Sequence, residues 1–363
     1  KSFLLLANKN NKIDLQLVLA GSSHLEKFGN ISDLIKKDKL RINHKLFTIF
    51  EGNDPICMAK TTSQTINELS TVFLNIKPDI VFVIADRYEN LAVAISASYM
   101  NIPVAHVQGG EVTGTIDESI RHAVTKLSHI HFPATKDAAE RILRMGEDPS
   151  NVFEVGCPYI DIIKSSDFLD KKELSEMYNF DVNKKIILFT LHSVTTENES
   201  STNQIQTCLS ALENFNDFNI LSFYSNTDAG GKSIIDALTE MKNFKLFPNI
   251  DSNHFLSLMK VSDVMVGNSS AGIREAPSFG LPVVNIGSRQ NERLRASNVI
   301  DVDFNKEKII SAMNKSLYNE EFVYSIKSLE NPYGDGNSAD RIIRVLAETE
   351  LENIVQKTIK YDI

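Results

Sequence analysis

Cysteine is scarce in this sequence, and its placement excludes two kinds of site. Cys57, Cys157 and Cys208 are the three cysteines among 363 residues; they are far apart and form no CxxC pair. Such usage excludes a disulfide framework or a cysteine zinc site and is typical of a reducing cytoplasm. His129 and His131 could suggest a metal, but they alternate in an apolar run without a carboxylate partner, so we interpret them as ordinary strand residues. We therefore expect no metal and no cofactor.

Long apolar runs and basic tracts are absent as well. An apolar run such as Ile80–Ala85 is far shorter than the ~20 residues of a membrane helix, and no signal-peptide pattern is visible. The net charge is -9, from 38 basic and 47 acidic side chains. Without a basic tract, this balance argues against a nucleic acid or an anionic membrane as partner. We expect a cytoplasmic protein with neither of these partners.

What the sequence does contain is an alternation of strand and helix patterns. Short apolar runs are each followed by polar or glycine-rich residues and then by a helical pattern, which indicates parallel strands covered on both faces. We predict an α/β protein of two doubly wound, Rossmann-like domains at 1–160 and 161–337. A closing segment at 338–363 follows, whose amphipathic pattern from Ala339 to Lys357 predicts a helix. The runs are Leu15–Leu19, Ile80–Ile84, Val104–Val107, Ile186–Thr190, Ile220–Tyr224, Val264–Val266 and Val283–Ile286.

Two predicted strand ends of the first domain carry charged residues, at the place where ligands gather in such sheets. Asp86 and Arg87 directly follow Ile80–Ala85, either as the start of a helix or as an acid and a cation placed together for a ligand. Glu111 follows the next run in a glycine-rich loop, where a carboxylate can be partly desolvated and serve as a base. The loop is neither a dinucleotide fingerprint nor a P-loop, because it lacks their spacing and the lysine.

The helix after this loop has acids of its own. Thr115 and Glu118 fit a capping box, which gives Asp117 and Glu118 a structural explanation. Arg121 and His122 lie one turn further on, where they can pair with these acids.

The second domain combines hydroxyl, carboxylate and guanidinium groups at its strand ends. His192 ends one run and can be structural or catalytic. Ser269 and Ser270 precede a helix of small residues, so hydroxyls and free N–H groups could cradle a phosphate. Glu275, one turn further, could accept a ribose diol; the alternative is a serine N-cap with a helix acid behind it. Arg289 begins a group of three arginines that suggests neutralisation of a diphosphate or, alternatively, a solvated loop.

These segments resemble those of the hydrolysing UDP-N-acetylglucosamine 2-epimerases, the family of bacterial sialic-acid biosynthesis. The similarity runs through essentially the whole chain. GGEVTGTIDESIRHAVTKLSH is very specific, since non-hydrolysing relatives lack the GGE…IDES loop, whereas GNSSxGxxE is shared more widely among nucleotide-sugar enzymes. The matching segments are DRYE from Asp86, GGEVTGTIDESIRH from Gly109, HSVTTE from His192, NTDAG from Asn226, GNSSAGIRE from Gly267, SRQNERLRASNVIDV from Ser288 and NPYGDGN from Asn331.

The resemblance implies a fold and a set of site residues. The fold is glycosyltransferase-B-like, with two Rossmann-like domains facing a cleft, UDP on the carboxy-terminal domain and the last helix packing back on the amino-terminal one. Homodimers or homotetramers are common in the family. Catalytic positions are matched by Asp86, Glu111, Asp117 and His192. Substrate and UDP positions are matched by Arg87, Asn226, Ser269, Ser270, Glu275 and Arg289.

The chain departs from the family pattern in a few places. Ala85 replaces a glycine, and Ser193 and Ser225 replace prolines; none of these changes removes a charged group. Family members also begin with a strand and a GTRADYG-like loop whose arginine binds phosphate. Nothing of that precedes Lys1, so either the natural chain continues upstream or the enzyme is impaired. We expect the former, because loss of the first strand would open the sheet.

The reaction implied is conversion of UDP-N-acetylglucosamine to UDP and N-acetylmannosamine. A carboxylate removes the C2 proton as UDP leaves in an anti elimination, and water then adds to the resulting 2-acetamidoglucal. The same reaction on UDP-diacetylbacillosamine is an alternative, because relatives acting on that sugar look much alike. A glycosyltransferase of the same architecture and a catalytically silent nucleotide-sugar sensor are two further alternatives.

Overall fold

The computed structural model describes residues 1–24, 31–50, 55–112, 116–194, 197, 200–225, 231–248 and 250–360. Thr115 and Asn226 of the predictions above lie outside them. The chain divides into two compact units, Lys1–Ile162 with Tyr333–Ile363 and Ile163–Pro332. None of the helices in the described ranges combines the length and apolarity needed to cross a bilayer.

The first unit is built on short parallel strands with helices between them. Strand β4 lies between β3 and β5, and β1 pairs with β2. Its strands are β1 (Val18–Leu19), β2 (His44–Lys45), β3 (Val81–Ile84), β4 (Val104–Val107) and β5 (Ile130–Phe132). Its helices are α1 (Ser2–Ala7), α2 (Ile31–Lys37), α3 (Pro55–Ile76), α4 (Tyr88–Tyr99), α5 (Ile116–Leu127) and α6 (Lys136–Arg144), with α7 (Pro158–Ser165) running across the boundary to the second unit.

Both faces of the β3–β4–β5 sheet are covered, which explains the continuous apolar runs. On one face Val104 packs among residues of α3 and α4 such as Phe73 and Ala97. On the other face Ala105 and Val107 pack with α1 and with the end of the chain. Alternate residues of β4 thus serve two separate apolar cores, and all four are buried.

The second unit holds a six-stranded parallel sheet in the order β11-β10-β9-β6-β7-β8. Ile187 and Phe189 of the central strand are fully buried in an apolar core, with Ile205 and Leu212 of a neighbouring helix. Its strands are β6 (Ile186–Thr190), β7 (Asn219–Phe223), β8 (Phe244–Phe247), β9 (Val264–Gly267), β10 (Val283–Ile286) and β11 (Val299–Val302). Its helices are α8 (Lys171–Tyr178), α9 (Ser201–Leu212), α10 (Gly231–Thr239), α11 (Ser252–Val261), α12 (Ser270–Arg274), α13 (Lys306–Tyr318) and α14 (Glu320–Ser325). The predicted α/β class with two Rossmann-like units is therefore confirmed.

The closing helix is shorter than its sequence pattern predicts. Helix α15 (Ser338–Glu348) ends at Thr349 in extended conformation instead of continuing to Lys357. Acidic residues at 348, 350 and 352 oppose continuation, because negative charge is unfavourable at a helix carboxyl end. Beyond the helix, Lys357 Nζ donates to the carbonyl oxygen of Lys126 at 2.9 Å and so ties the non-helical segment to the first unit. This tertiary contact outweighs the local helical pattern.

Candidate active site

Two neighbouring strands of the first unit end in residues with left-handed backbone. Ala85 follows β3 with φ 63°, and Gln108 follows β4 with φ 62°. Such angles are uncommon outside glycine and mark backbone held by its surroundings. The Ala85 amide donates to Val107 O at 2.9 Å, and the Gln108 amide donates to Phe132 O at 2.9 Å. The turns direct the chain out of the sheet into Asp86 on one strand and the loop to Glu111 on the next.

Arg121 of α5 joins these two strand ends. Its side chain is almost fully buried, and one guanidinium nitrogen donates to the Asp86 carboxylate. A second nitrogen donates to the carbonyl oxygen of Glu111 at 2.7 Å. A guanidinium presents several donors in a fixed plane, so one side chain can orient both segments. The sequence pattern assigned Arg121 to the acids of its own helix and did not anticipate this contact across the sheet.

Glu111 is itself a buried carboxylate, with 6% of its surface exposed. It follows Gly110, whose φ is 76° and at which a Cβ atom would lie 2.2 Å from the Ala138 carbonyl oxygen. Arg141 donates to the Gly110 carbonyl oxygen at 2.5 Å. Only glycine fits at that position, so the close approach of backbone to α6 fixes where Glu111 leaves the sheet.

The acids of α5 have different surroundings. Asp117 is exposed in the first turn. Glu118 is half-buried, and its Oε1 lies 3.6 Å from His122 Nε2, one turn on. That contact agrees with the predicted pairing of Glu118 and His122. The capping partner Thr115 lies outside the described residues, so the capping box stays a prediction.

Arg87 lies next to Asp86 but faces its own helix start. Its guanidinium donates to Glu89 at 3.1 Å through two nitrogens and lies 5.2 Å from the ring centre of Tyr88. The side chain is 60% exposed, so a ligand phosphate could compete with Glu89 for it.

In the second unit, Asn268 organises the ends of three adjacent strands. Its side-chain oxygen accepts from the His192 amide at 2.7 Å, and its side-chain nitrogen donates to the His192 carbonyl at 2.8 Å. Its own carbonyl accepts from Arg289 at 3.3 Å and from Gln290 at 2.9 Å. Asn268 is 1% exposed. It therefore fixes the residues that follow β6, β9 and β10, a role that the sequence pattern did not assign to it although it lies in the GNSS segment.

The imidazole of His192 is neutral at physiological pH. Burial lowers its pKa to about 4, and the Arg289 guanidinium acts in the same direction. In a neutral imidazole, one ring nitrogen donates a hydrogen bond and the other accepts one. His192 is thus suited to hydrogen bonding a ligand beside Arg289 and does not add a second positive charge.

The predicted phosphate cradle lies at the start of α12. Ser269 is the N-cap and accepts from the Ala271 amide at 3.4 Å, and Ser270 is the first helical residue. Glu275 follows the helix and begins a 3-10 turn, so the helix has only five residues. Its dipole is correspondingly small, so an anion at this position would depend mainly on the N–H groups and hydroxyls of the first turn.

The loop after β10 holds Arg289 among other fixed side chains. Ser288 Oγ donates to Glu197 at 2.5 Å. Arg295 pairs with Asp301 and also donates to the Gln290 carbonyl oxygen. Arg295 thus holds the loop that carries Arg289. Asn226, the remaining predicted ligand residue, lies outside the described residues.

The histidine pair in the first unit is structural in character, but one of its members does have a carboxylate partner. His131 on β5 lies 3.0 Å from Glu147, which also binds Lys126 and Lys357 at 2.6 Å each. His129 accepts from the Val104 amide at 3.0 Å. Sequence spacing did not reveal Glu147, which lies 16 residues after His131. Within the described part of the chain, no three His, Cys, Asp or Glu side chains form a group that could hold a metal ion.

Comparison with known proteins identifies the class to which this fold and site belong. The family model described as UDP-N-acetylglucosamine 2-epimerase matches residues 6–347. The chain therefore belongs to the UDP-N-acetylglucosamine 2-epimerase family.

Relatives within the family are named for two different sugars. UDP-N,N'-diacetylbacillosamine 2-epimerase (hydrolyzing) of Legionella pneumophila is 36% identical over 95% of this chain and 91% of its own length. GDP/UDP-N,N'-diacetylbacillosamine 2-epimerase (hydrolyzing) of Campylobacter jejuni is 37% identical over 82% of this chain and 79% of its own. UDP-GlcNAc 2-epimerase of Neisseria meningitidis, solved with UDP-GlcNAc bound, shares the fold with a TM-score of 0.83 at 24% identity, over 96% of this chain and 95% of that one.

The position of Arg289 leads to a binding prediction. We expect Arg289→Ala to weaken UDP binding by about 1.5–3 kcal/mol, the usual worth of a hydrogen bond to a charged group. Isothermal calorimetry with UDP measures this directly. Lys308→Ala is the control, since it removes a positive charge from an exposed pair with Asp303 in the same unit. Equal UDP affinity of the Arg289 variant and the wild type would remove Arg289 from the site.

Proposed function

We propose that this protein is a hydrolysing 2-epimerase that releases UDP from a 2-acetamido UDP-sugar and inverts C2. The observation that carries the proposal is the bridge made by Arg121, which holds Asp86 and the backbone of Glu111 at neighbouring strand ends. Removal and return of a C2 proton need an acid and a base, and paired carboxylates in different surroundings can supply both. Asp117 is a third candidate for proton transfer.

The second unit supplies the groups that stabilise the leaving UDP. Departure of UDP from C1 places negative charge on the diphosphate, which Arg289 and the amides and hydroxyls of Ser269 and Ser270 can stabilise. In this proposal His192 adds hydrogen bonding and Glu275 binds the ribose hydroxyls. The C1–O bond breaks as the C2 proton leaves, which gives UDP and a 2-acetamidoglucal. Water then adds its oxygen to C1 and a proton returns to C2, giving a free sugar of the mannose configuration.

We further propose UDP-N,N'-diacetylbacillosamine as the substrate, ahead of UDP-N-acetylglucosamine. The two relatives at 36% and 37% identity are both named for the diacetamido sugar. The enzyme would then act in sialic-acid-type sugar biosynthesis on a sugar with acetamido groups at both C2 and C4. A homo-oligomeric state stays a prediction.

Isotope labelling with the two UDP-sugars tests reaction and substrate together. In deuterium oxide, we expect one deuterium at C2 of the released sugar by NMR. In heavy-oxygen water, we expect label at C1 of the sugar and none in UDP by mass spectrometry. The diacetamido substrate should show kcat/KM at least about tenfold higher, since one hydrogen bond to the 4-acetamido group contributes about 1.4 kcal/mol.

The possible outcomes separate the alternatives. A plain hydrolase would leave the C2 proton in place, and a pyrophosphatase would place heavy oxygen on phosphate. Binding of both UDP-sugars without turnover would indicate a sensor, and turnover that depends on an added acceptor would indicate a glycosyltransferase. Faster turnover of UDP-N-acetylglucosamine would reject the diacetamido substrate and keep the epimerase.

A further inference from the structure

His106 is a fully buried histidine that the proton transfers above do not use. It lies on β4, paired in register with Val83 on β3 and with His131 on β5. None of its surface is exposed. It shares its face of the sheet with the core residues Val83 and Val104, and burying an imidazole there costs free energy unless its ring nitrogens are hydrogen-bonded.

Both ring nitrogens of His106 have partners, and the partners assign the tautomer. Nε2 lies 3.0 Å from the carbonyl oxygen of Ala85, which can only accept, so Nε2 carries the proton. Nδ1 lies 3.3 Å from Thr125 Oγ1, which is itself 3.0 Å from the carbonyl oxygen of Arg121. Burial lowers the pKa of His106 to about 3 against the effect of the Ala85 hydrogen bond, so the ring is neutral.

Two contacts hold the chain around the candidate carboxylate. His106 Nε2–H donates to the Ala85 carbonyl oxygen, and the Arg121 guanidinium binds Asp86, the residue next to Ala85. The Thr125 hydroxyl donates its one proton to the Arg121 carbonyl oxygen, so Thr125 packs beside His106 Nδ1 and does not extend the hydrogen-bonded chain. The left-handed turn and the carboxylate that it presents are therefore held separately, one by His106 and the other by Arg121. A Cβ atom at position 109 would lie 2.9 Å from His106 Nδ1 and from Thr125 Oγ1, so the glycine there leaves room for both side chains.

We propose that His106 is a positioning residue for Asp86, because its Nε2–H group holds the Ala85 carbonyl and thereby the turn from which Asp86 projects. This inference rests on the proposed function, in which Asp86 transfers a proton. Because position 85 is alanine and not glycine, the left-handed turn depends more strongly on the hydrogen bond from His106. An alanine at positive φ adopts this conformation only when its surroundings hold it there.

Three substitutions of His106 test the role of the Nε2 donor. In His106→Gln the amide nitrogen can occupy the place of Nε2, whereas in His106→Asn it reaches only the place of Nδ1, and His106→Leu has no donor. We expect the Asn and Leu variants to lose about 10- to 100-fold in kcat, since a displacement of about 1 Å can cost 10²-fold. KM and the Kd for UDP should stay within about twofold of the wild type. The Gln variant should keep kcat within about threefold.

A matched variant separates positioning from loss of stability. Ser96→Ala removes another buried hydrogen bond of the first unit, from Ser96 Oγ to Ala92 O at 2.9 Å, and should lower the melting temperature without lowering kcat. Equal loss of kcat in the Gln and Asn variants would overturn the proposal. Wild-type kcat in the Leu variant, or an effect confined to KM, would overturn it as well.

A spectroscopic measurement tests the inference independently of turnover. In protein labelled uniformly with nitrogen-15, we expect His106 to be the neutral Nε2–H tautomer, and the amide signals of Ala85 and Asp86 to move in the Asn variant but not in the Gln variant. If these signals behave so while no UDP-sugar is turned over, the positioning contact stands and the proposed function fails. A protonated Nδ1 in His106 would reject the contact itself.

Discussion

Asp86→Asn and Glu111→Gln should each lower turnover of the UDP-sugar by about 10²–10⁴-fold, the usual contribution of a general acid or base. Both substitutions keep the shape of the side chain and remove its ability to exchange a proton. UDP affinity should be unchanged, because the groups assigned to UDP are Ser269, Ser270 and Arg289 of the second unit. Steady-state kinetics and calorimetry with UDP measure the two effects separately.

The two variants differ in their expected effect on stability. Arg121 is almost fully buried and loses its anionic partner in Asp86→Asn, and removal of one partner from a buried charged pair is costly. We therefore expect the Asp86 variant to be less stable than the Glu111 variant, whose contact with Arg121 is through a backbone carbonyl. Equal turnover at equal folded fraction in wild type and both variants would remove these residues from the reaction.

The neighbouring acids Asp117 and Glu118 supply an internal control. Glu118→Ala breaks a partly exposed contact with His122 and should cost at most about 1 kcal/mol of stability. Asp117→Asn, in the exposed first turn of the same helix, should lower turnover. If Glu118→Ala abolishes turnover and Asp117→Asn does not, the assignment of the two acids is reversed.

The sequence predicted the strands well because burial on both faces leaves a simple pattern. Val104–Val107 and Ile186–Thr190 match β4 and β6 at both ends, since every residue in them is buried. The closing helix was predicted nine residues too long, from Lys357 against Glu348. There the local amphipathic pattern continues, but contacts with residues far away in the sequence determine the conformation.

The site was predictable in its residue types and not in its connections. Asp86 and Glu111 could be found because they follow apolar runs, and parallel strands end at one edge of a sheet. That Arg121 binds Asp86, 35 residues earlier in the chain, depends on how α5 packs on the sheet and leaves no local signal. For His106 and Asn268 the only local signal was a polar residue within or directly after an apolar strand.

Acid should destabilise the first unit at pH values where its surface carboxylates are still ionised. The buried His106 has a pKa of about 3 in the folded chain, against about 6.5 when unfolded. Below pH 6.5 the unfolded state thus binds a proton that the folded state does not bind, and the stability of the folded state falls as the pH falls. From pH 6.5 to 4.5, His106 alone should lower the stability by about 2 kcal/mol, with a slope that approaches about 1.4 kcal/mol per pH unit well below pH 6.5.

His131 and Glu147, two other buried titratable groups of the first unit, also lower its stability as the pH falls. Burial lowers the pKa of His131, although Glu147 opposes it. Burial alone would raise the pKa of Glu147, but hydrogen bonds from His131, Lys126 and Lys357 outweigh it and lower that pKa to about 2. Because Glu147 is lowered from 4.5, its stabilising effect is complete above that pH and is lost only below it. Between pH 6.5 and 4.5 the loss of stability therefore reports the histidines.

Urea unfolding at several pH values, followed by deuterium uptake in peptides that cover β3 to β5, measures this loss in the first unit alone. His106→Gln removes the titrating ring and keeps the donor to Ala85, so its stability should fall less steeply, by up to about 1.4 kcal/mol per pH unit. The difference between the two slopes isolates one group from every other that titrates in this range. Parallel slopes would mean that His106 takes up its proton in the folded protein, which its full burial opposes more strongly than the Nε2 hydrogen bond to Ala85 favours it.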